Sequence, residues 1–305
     1  MPKSPLVAGI GHANVDFLGI VPRYPEVDSK TELLEVSIQG GGPAATALAA
    51  ARALGCAARF ATKLADDDFG RFILRGLRDV DVDCDHVITA PGHLSPFSFI
   101  AIGDDNAKRT VFYTHGDVGP IAPEELDLGA FLAGAAGLLV DGHQPAVQIA
   151  AAEVGRDKDI PVILDAGSLR EGMGELVALS DVLIASERFV SEVAPRGEVE
   201  DSLVELQEMG PKGVIITLGE AGSVGLYGDK LVRQQAYEVN AVDTTGAGDV
   251  YHGAFTAGFV RGHAFEQCMQ LASAAAALKC RALGGRAGIP DLDEVLAFLG
   301  WPAEQ

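Results

Sequence analysis

Basic residues are scarce in this chain. Lysine and arginine number 23 against 43 aspartates and glutamates, which leaves a formal net charge of −20 over 305 residues. A field of that sign repels phosphate backbones and anionic lipid, so we expect neither nucleic-acid nor membrane-surface binding. Any anionic substrate must therefore be held by a local positive site that works against the overall field.

Cysteines are also few, and no hydrophobic run is long. The cysteines form no CxxC pair and lie far apart, at Cys56, Cys84, Cys268 and Cys280. We expect free thiols in a cytoplasmic protein rather than disulfides or a zinc site. No apolar run approaches the roughly 18 residues of a transmembrane helix. The first residues lack the apolar core and cleavage site of a signal peptide.

Several motifs of common enzyme classes are missing. The sequence contains no GxxxxGK[ST] loop and no HExxH motif, and its histidines show no metal-ligand spacing. The string GIGHAN at residues 9–14 lacks the third glycine of a dinucleotide loop. Asp68-Phe69-Gly70 has no HRD sequence upstream, so it does not indicate a protein kinase.

What is present is an alternation of apolar strand-like runs and helix-like segments. Hydrophobic residues make up 48% of the chain, enough for a sizeable core. The alternation predicts a single α/β domain over residues 1–305, with a parallel sheet between two layers of helices. The predicted strands are Leu6–Gly11, Ala58–Leu64, Gly137–Val140, Val162–Asp165, Val182–Ala185 and Val214–Leu218. The predicted helices are Pro43–Leu54, Phe69–Arg78, Ala146–Arg156, Leu203–Met209, Val250–Arg261, Phe265–Cys280 and Leu292–Leu299.

Three segments alternate apolar and polar side chains instead: Thr31–Ile38, Phe97–Ile102 and Arg109–Tyr113. The last two are joined by GDDNAK, residues 103–108, which suits a hairpin turn. Alternation of this kind is typical of a sheet with one face in water. We therefore predict a small β-sheet lid over a cleft, formed by insertions at about residues 12–40 and 94–116.

A first glycine-rich segment precedes a helix of small residues. It reads QGGGPAATALAAARALG and covers Gln39–Gly55. Glycines let a backbone approach a ligand closely, and a helix N-terminus offers amide donors to its oxygens. A tight turn before a closely packed helix is an equally good interpretation.

A second such segment is NAVDTTGAGDVYHGAF, Asn240–Phe255. Gly246, Ala247 and Gly248 precede a helix whose first turn contains Asp249, so several backbone N–H groups converge in an anion hole. A carboxylate there suits a general base that takes a proton from a hydroxyl attacking a phosphoryl group. The alternative is an aspartate that only stabilises the start of the helix.

A third segment, ITLGEAGSVGL, covers Ile216–Leu226. A strand ends in a glycine-rich turn and is followed by a short hairpin. The backbone N–H groups of Gly219 and Gly222 could meet the phosphates of a nucleotide, although the same string suits an ordinary β-turn.

In this order and spacing, the three segments resemble the ribokinase-like (PfkB) family of small-molecule kinases over nearly the whole chain. Asp243–Asp249 matches the family signature DTxGAGD. The resemblance implies ATP-dependent phosphorylation of a sugar hydroxyl, a primary alcohol of a ketohexose-like sugar. Asp249 would be the general base and the Gly246–Gly248 amides the anion hole. A sulfosugar or sugar-acid kinase, or a nucleoside kinase of the same fold, is the alternative.

The resemblance also implies residues around the two substrates. On the sugar side they are Asn14, Asp16, Lys30, Gly41, Gly42, Thr46 and His143. On the nucleotide side they are Ser186, Thr217, Gly219, Gly222, Thr245 and Cys280. Arg170 follows a predicted strand and either meets a phosphate or lies in solvent.

The implied cofactors are ATP and Mg²⁺, with K⁺ as an option. The family's NxxE segment is replaced by Ser186-Glu187-Arg188-Phe189, so Glu187 or Glu192 would hold Mg²⁺ through water. Asp243 and Thr245 lie where relatives bind a monovalent cation, but they could also close the turn by local hydrogen bonds. We expect a homodimer through the lids, because an open apolar sheet needs a cover.

Overall fold

A computed structural model describes residues 4–104, 109–195 and 197–303 of the chain. Its strands are β1 (Leu6–Ile10), β2 (Asn14–Val21), β3 (Glu35–Gly41), β4 (Ala57–Ala61), β5 (Lys63–Ala65), β6 (Val82–Asp83), β7 (Ile88–Ala90), β8 (Phe97–Gly103), β9 (Arg109–Thr114), β10 (Ala135–Val140), β11 (Val162–Ala166), β12 (Val182–Ser186), β13 (Gly213–Thr217), β14 (Ser223–Tyr227) and β15 (Lys230–Gln234). Its helices are α1 (Pro43–Ala53), α2 (Asp68–Arg78), α3 (Leu128–Phe131), α4 (Pro145–Asp157), α5 (Met173–Leu179), α6 (Glu187–Val193), α7 (Val199–Glu208), α8 (Ala247–Val260), α9 (Phe265–Lys279) and α10 (Leu292–Leu299).

The largest sheet has nine strands in the order β15-β14-β13-β12-β11-β10-β1-β4-β6. Strands β6 to β13 along this order pair in parallel, and β14 and β15 add an antiparallel hairpin at one edge. Strand β11 is buried at every position, because helices cover both faces of a parallel sheet. The α/β fold with a parallel central sheet is therefore confirmed.

The helices form two layers with separate hydrophobic cores. Side chains from α1, α8 and α9 pack on one face of the sheet, and side chains from α4, α5 and α7 pack on the other. Successive residues of β1 serve opposite layers: Val7 joins the first core and Ala8 the second. Carboxyl ends of parallel strands lie at one edge of the sheet, which is where ligands bind in such folds.

Small residues let α1 and α8 approach closely. A Cβ added to Gly253 of α8 would lie 2.1 Å from the carbonyl oxygen of Ala47 in α1, so only glycine fits there. This contact explains the alanine-rich composition of α1, which is buried from Ala44 to Ala51.

A second sheet has four strands in the order β3-β2-β8-β9. Its strands fall within the two segments predicted for a lid. In the register of the sheet, Ile38, Phe17, Phe99 and Phe112 lie side by side on one face. Asp16, Gln39, Ser98 and Tyr113 form the adjacent row on the other face. The predicted GDDNAK turn lies largely outside the described residues.

Three strand predictions need correction. The first predicted strand, Leu6–Gly11, ends one residue early, because β1 ends at Ile10; the chain then crosses to the small sheet, where β2 carries both Asn14 and Asp16. Ala58–Leu64 is likewise divided between β4 and β5, which belong to different sheets.

The strand predicted over Thr31–Ile38 begins only at Glu35, which pairs with Ile20. The pairing of β2 with β3 ends at Ile20 and Glu35, and β2 itself ends one residue later, at Val21. The segment Thr31–Leu34 therefore has almost no partner strand left. The helices deviate less: α7 begins at Val199 rather than Leu203.

The described cysteines, Cys56, Cys84, Cys268 and Cys280, are buried and none forms a disulfide. Among the described residues, no helix is both long and apolar enough to cross a membrane. The cytoplasmic location remains a prediction.

Candidate active site

The N-terminus of α8 faces an open cavity. Gly246 precedes it with φ +75°, and a Cβ at this position would lie 2.7 Å from Cα of Gly285. Only glycine combines that φ with so close a neighbouring chain. Ala247 and Gly248, in the first turn of α8, line this cavity; the N–H of Ala247 donates to the carbonyl oxygen of Thr244 at 3.2 Å. The N-terminus of a helix attracts an anion through its remaining N–H groups and its dipole.

Asp243 fixes the loop that leads into α8. Its Oδ1 accepts hydrogen bonds from the backbone N–H of Thr245 at 2.9 Å and from the Thr245 hydroxyl at 2.8 Å. Its Oδ2 accepts a hydrogen bond from the backbone N–H of Gly284 at 2.8 Å. Asp243 and Thr245 thus close the turn by local hydrogen bonds, the alternative to the predicted monovalent-cation site.

Asp249 lies in the first turn of α8, and its carboxyl group is close to those of Asp165 and Asp16. Loss of hydration around this carboxyl group, and then the nearby Asp165, raise the pKa of Asp249 to about 7. His252 and Arg109 act in the opposite direction. A carboxyl group with a pKa near neutrality can both accept and release a proton at physiological pH.

His252 and Asp165 lie directly behind this group. The His252 Nε2 atom is 3.4 Å from Asp165 Oδ1, and its Nδ1 is 2.6 Å from the carbonyl oxygen of Gly248. Burial lowers the pKa of His252, so the ring is neutral at pH 7. Burial and the nearby Asp141 raise the pKa of Asp165 to about 8.

Asp16 reaches the same space from the small sheet. It is buried, and its Oδ1 accepts hydrogen bonds from Asn14 Nδ2 at 2.6 Å and from the hydroxyl of Ser98. Burial raises the pKa of Asp16, and these two hydrogen bonds oppose the rise. A Cβ on Gly41 would lie 2.0 Å from Asp16 Oδ2, so glycine is required at this point of β3.

Arg286 supplies positive charge opposite these acids. Its Nη2 donates to the carbonyl oxygen of Gly41 at 2.7 Å, and its Nε donates to the hydroxyl of Thr46 at 3.3 Å. Gln39 holds the segment, because its Oε1 accepts the backbone N–H groups of Arg286 at 3.2 Å and of Ala287 at 3.1 Å. Burial lowers the pKa of Arg286 to about 10, while Asp16 and Asp249 act against that shift.

Three histidines converge at the far end of this space. The rings of His12 and His143 stack with centroids 4.7 Å apart, and the His115 ring lies 5.8 Å from the His12 ring. Burial and the neighbouring His143 lower the pKa of His12 to about 3, and burial lowers that of His143. One ring nitrogen from each histidine lies within 4.8 Å of the others, so the cluster could hold a metal ion.

Asp141, at the end of β10, holds two of these histidines by their backbones. Its Oδ2 accepts the N–H of His12 at 2.7 Å and that of Ala44 at 3.2 Å. Its Oδ1 accepts the N–H of His143 at 3.0 Å and a hydrogen bond from Gln148 Nε2 at 3.0 Å. The His143 loop and the first residues of α1 are thereby tied to one buried carboxylate.

A cavity of about 970 Å³ opens on the other side of the α8 N-terminus. It brings together several residues predicted for nucleotide binding with two of the anion hole: Thr217, Gly219, Gly222, Cys280, Ala247 and Gly248. Burial raises the pKa of the Cys280 thiol, which therefore stays protonated at neutral pH.

Some predicted residues lie elsewhere. Lys30 is exposed between β2 and β3 and has no partner among the described residues. Ser186 caps α6, accepting the N–H of Phe189 at 3.1 Å and donating to the carbonyl oxygen of Gly167 at 2.8 Å, and it does not line the cavity. Glu187 is exposed at the start of α6. The Glu192 carboxylate accepts hydrogen bonds from the Leu169 N–H and from Arg188 Nε.

The small sheet also contacts the loop before α8. Arg109 Nη1, on β9, donates to the hydroxyl of Thr244 at 2.8 Å. Thr244 lines the cavity of about 970 Å³, so a side chain of the small sheet binds the wall of that cavity.

A model of the pfkB family of carbohydrate kinases matches residues 4–292. The chain belongs to this family. A nucleoside kinase of Methanothermobacter thermautotrophicus is 26% identical over 293 residues, covering 94% of this chain and 93% of the relative. An ATP-dependent ribose-1-phosphate kinase of Halopiger xanaduensis is 29% identical over 296 residues, covering 96% and 97%. The structure of Arabidopsis thaliana ribokinase complexed with ribose and ATP superposes with a TM-score of 0.85 at 25% identity, covering 98% of this chain and all of that chain.

The predicted family, its ribokinase-like fold and its kinase activity are thus confirmed. Within this pfkB kinase, sequence reasoning missed Arg286, Asp165 and His252. Arg286 follows two glycines in GGRAGIPD, and that glycine pair was the available signal. The histidine cluster was missed because His12, His115 and His143 come from three separate segments, so their spacing in the chain carries no pattern.

Proposed function

We propose that this pfkB kinase transfers the γ-phosphoryl group of ATP to a primary alcohol of a ketohexose-like sugar, with Asp249 as the general base. The observation that carries the proposal is the position of Asp249. It lies at the N-terminus of α8, between the cavity of about 970 Å³ and the group formed by Asp16 and Arg286.

In this mechanism the sugar hydroxyl gives its proton to the Asp249 carboxylate as its oxygen attacks the γ-phosphorus. The bond from that phosphorus to the bridging oxygen of ATP breaks, and ADP leaves. The N–H groups at Gly246–Gly248 donate to the phosphoryl oxygens as charge moves onto them. Burial and the nearby Asp165 raise the pKa of Asp249 to about 7, where the base is both available and strong.

ATP would occupy the cavity lined by Thr217, Gly219 and Gly222, with its phosphates toward Ala247 and Gly248. Mg²⁺ supplies charge neutralisation on the phosphates when it is bound. Glu187 suits this ion: its carboxylate is unpartnered among the described residues and follows Ser186, which pairs with Thr217 of the cavity wall. One carboxylate with phosphates and waters is an ordinary magnesium environment.

The sugar would lie between Asp16 and Asp249. Asp16 can accept sugar hydroxyl hydrogens, and Asn14 and Ser98 orient it. The positive charge of Arg286 faces Asp16 and Asp249, so it is already balanced within the pocket. This balance favours a neutral polyol over an anionic sugar, as do the neutral rings of His12 and His143.

An anionic sugar is a second candidate, favoured by Arg170. This arginine donates to the carbonyl oxygen of Ser168 at 3.4 Å. Beside the larger effect of burial, it acts to lower the pKa of both His143 and Asp165, so its positive charge lies near these two residues. From the sequence alone, Arg170 is expected either to meet a phosphate or to lie in solvent. The resemblance of the GGGPAATA and GGRAGIPD strings to 6-deoxy-6-sulfofructose kinases points the same way, but none of the relatives described above is such an enzyme.

A nucleoside acceptor is less well supported. A base-stacking pocket needs aromatic rings beside the sugar, but Phe17 and Phe97 pack against Phe69 of α2, on the face of the small sheet opposite to Asp16. Tyr113 is the one aromatic residue in the row of Asp16, Gln39 and Ser98.

We also propose a homodimer through the small sheet. Along its apolar row, Ile38 is 49% exposed, Phe99 54% and Phe112 63%. A contiguous apolar face of this kind is typical of a surface that another chain covers. A second copy would cover it with the same row, as symmetric dimers do.

The test is a phosphoryl-transfer screen with Mg·ATP across ketoses, aldoses, sugar acids, sulfosugars, sugar phosphates and nucleosides. The proposal expects the highest kcat/KM for a neutral ketohexose. A sulfosugar or sugar phosphate that exceeds it tenfold, with the advantage lost in Arg170→Ala, would replace the neutral-sugar assignment by the anionic one. Transfer to nucleosides alone would overturn both.

A further inference from the structure

Lys279, the last residue of α9, is fully buried. Among the described residues, no other lysine or arginine is fully buried. Its Nζ donates to the carbonyl oxygen of Asp243 at 2.9 Å. A buried ammonium is costly unless carbonyl oxygens or carboxylates compensate it. Burial lowers the pKa of Lys279, and the nearby Asp243 and Asp249 act against that shift and favour the charged form.

The end of α9 holds Asp243 from both sides of its peptide unit. The carbonyl oxygen of Cys280 accepts the backbone N–H of Val242 at 2.8 Å and that of Asp243 at 3.2 Å. The Lys279 ammonium donates to the carbonyl oxygen of Asp243. The Asp243 carboxylate accepts hydrogen bonds from Thr245 and from Gly284. Every polar group of Asp243 is therefore engaged.

Asp243 is the first residue of the segment that ends at Asp249. The orientation of its carbonyl group sets the direction in which the chain enters the anion hole. A positive charge under that carbonyl fixes the peptide dipole, and it adds to the positive field at the N-terminus of α8.

We propose that Lys279 is a positioning residue that acts as a built-in monovalent cation for the anion-hole loop, so that phosphoryl transfer requires no K⁺. Lysine carries the same single charge as K⁺, and its ammonium donates to the carbonyl oxygen of Asp243, a kind of oxygen that would otherwise ligate such an ion. This inference rests on the proposed kinase function. It replaces the K⁺ dependence that the family resemblance implied.

The experiment compares wild-type protein with Lys279→Met in choline, lithium, potassium and ammonium chloride at fixed Mg·ATP and sugar. Wild-type kcat is expected to be the same in all four salts. Lys279→Met is expected to lose about tenfold or more in kcat in choline, the effect of a misplaced anion hole. K⁺ or NH₄⁺ should restore it, because methionine ends one atom short of the lysine ammonium and leaves the position beside the carbonyl oxygen of Asp243 open to an ion.

Lys230→Met is the matched control. Lys230 is an exposed lysine on β15 that forms an ion pair with Glu266 of α9, the helix that ends at Lys279. It should show no change in any salt. Thermal unfolding gives a second readout that needs no activity: K⁺ should raise the melting temperature of Lys279→Met and leave that of the wild type unchanged. If the methionine variant does not fold, Lys279→Ala, which leaves the same position beside the carbonyl oxygen of Asp243 open to an ion, takes its place in both measurements.

Two results would overturn the inference. One is a wild-type enzyme that loses tenfold or more of its kcat when K⁺ is replaced by choline. The other is a folded Lys279 variant with less kcat that no monovalent cation restores, which would make the lysine merely structural. Absence of kinase activity in every salt would instead count against the proposed function, and the melting data would still decide on the ion.

Discussion

Replacing Asp249 with asparagine removes the proton acceptor while keeping the size of the side chain. We expect kcat to fall by about 10² or more, the scale of a lost general base. The affinity for ATP should not change, because the backbone N–H groups of the anion hole remain. Steady-state kinetics and calorimetric titration with ATP measure the two quantities, with the exposed Asp229→Asn as control.

The same variant should not be destabilised at alkaline pH. Because burial raises the pKa of Asp249 from its ordinary value of 3.8 to about 7, the folded state loses stability as the pH rises from about 4 to about 7, and this cost is complete at alkaline pH. Asparagine removes that cost. A variant with near-normal turnover would leave Asp249 as a residue that only stabilises the start of α8.

The pH dependence of kcat/KM reports on the same carboxyl group. Protonated Asp249 cannot accept a proton, so kcat/KM should fall as the pH drops through about 7. Asp165 raises the pKa of Asp249, so Asp165→Asn should move this acidic limb to lower pH. Asp181→Asn, a carboxylate that ion-pairs with Lys212 away from the site, should leave the profile unchanged. An unmoved limb in Asp165→Asn would contradict this coupling.

At the scale of single residues, the sequence could lead only to predictions for residues that stand together in one local motif. Asp249, Gly246 and Gly248 stand in one signature, and their roles follow from the chemistry of a helix start. Arg286 and Asp165 meet Asp249 only through the tertiary fold, so no local spacing announces them. Lys30 lies in the exposed connection between β2 and β3, where no regular element fixes the position of a side chain.

Glycines at the two ends of α8 give a prediction for that helix. Gly246 and Gly262 both have positive φ, at +75° and +81°, but only Gly246 has a neighbouring backbone in the way of a Cβ. Gly262→Ala should cost only backbone strain, about 1–2 kcal/mol. Gly246→Ala should in addition displace the Gly285 segment and abolish most of kcat.

Denaturant unfolding and kcat, measured on both variants, check this difference. Equal losses of stability with equal activity would mean that the contact between Gly246 and Gly285 has no role in shaping the anion hole.

The elements of the main sheet were predictable because each is a continuous buried apolar run. The small sheet was harder. Strand β2 begins four residues after β1 ends, and nothing in the composition of residues 6–21 marks the passage from one sheet to the other. The passage depends on Gly11, whose missing Cβ makes room for the carboxylate of Asp141, 130 positions further on.

The dimer is a prediction about the whole molecule. Phe112 is 63% exposed at the end of the apolar row Ile38, Phe17, Phe99 and Phe112. Phe112→Glu would place a charge within the proposed interface, where desolvation is costly, and it should give monomers at micromolar concentration. Light scattering after gel filtration measures the mass, with Val204→Glu, an exposed apolar residue of α7, as control. A monomeric wild type at the same concentration would refute the dimer.

Arg286 reaches Gly41 across 245 positions of the chain, and Gln39 reaches Leu283 across 244. During synthesis, the strands that carry Asp16 and Gly41 emerge early, at roughly 5–20 residues per second. Their cationic partner is among the last residues to be added. A chain that stops before Leu283 already contains Asp249 and the glycines of the anion hole, but it lacks the arginine that faces them and the backbone that Gln39 binds. Translation must therefore be almost complete before Arg286 can bind Gly41 and before Gln39 can bind the backbone at Leu283.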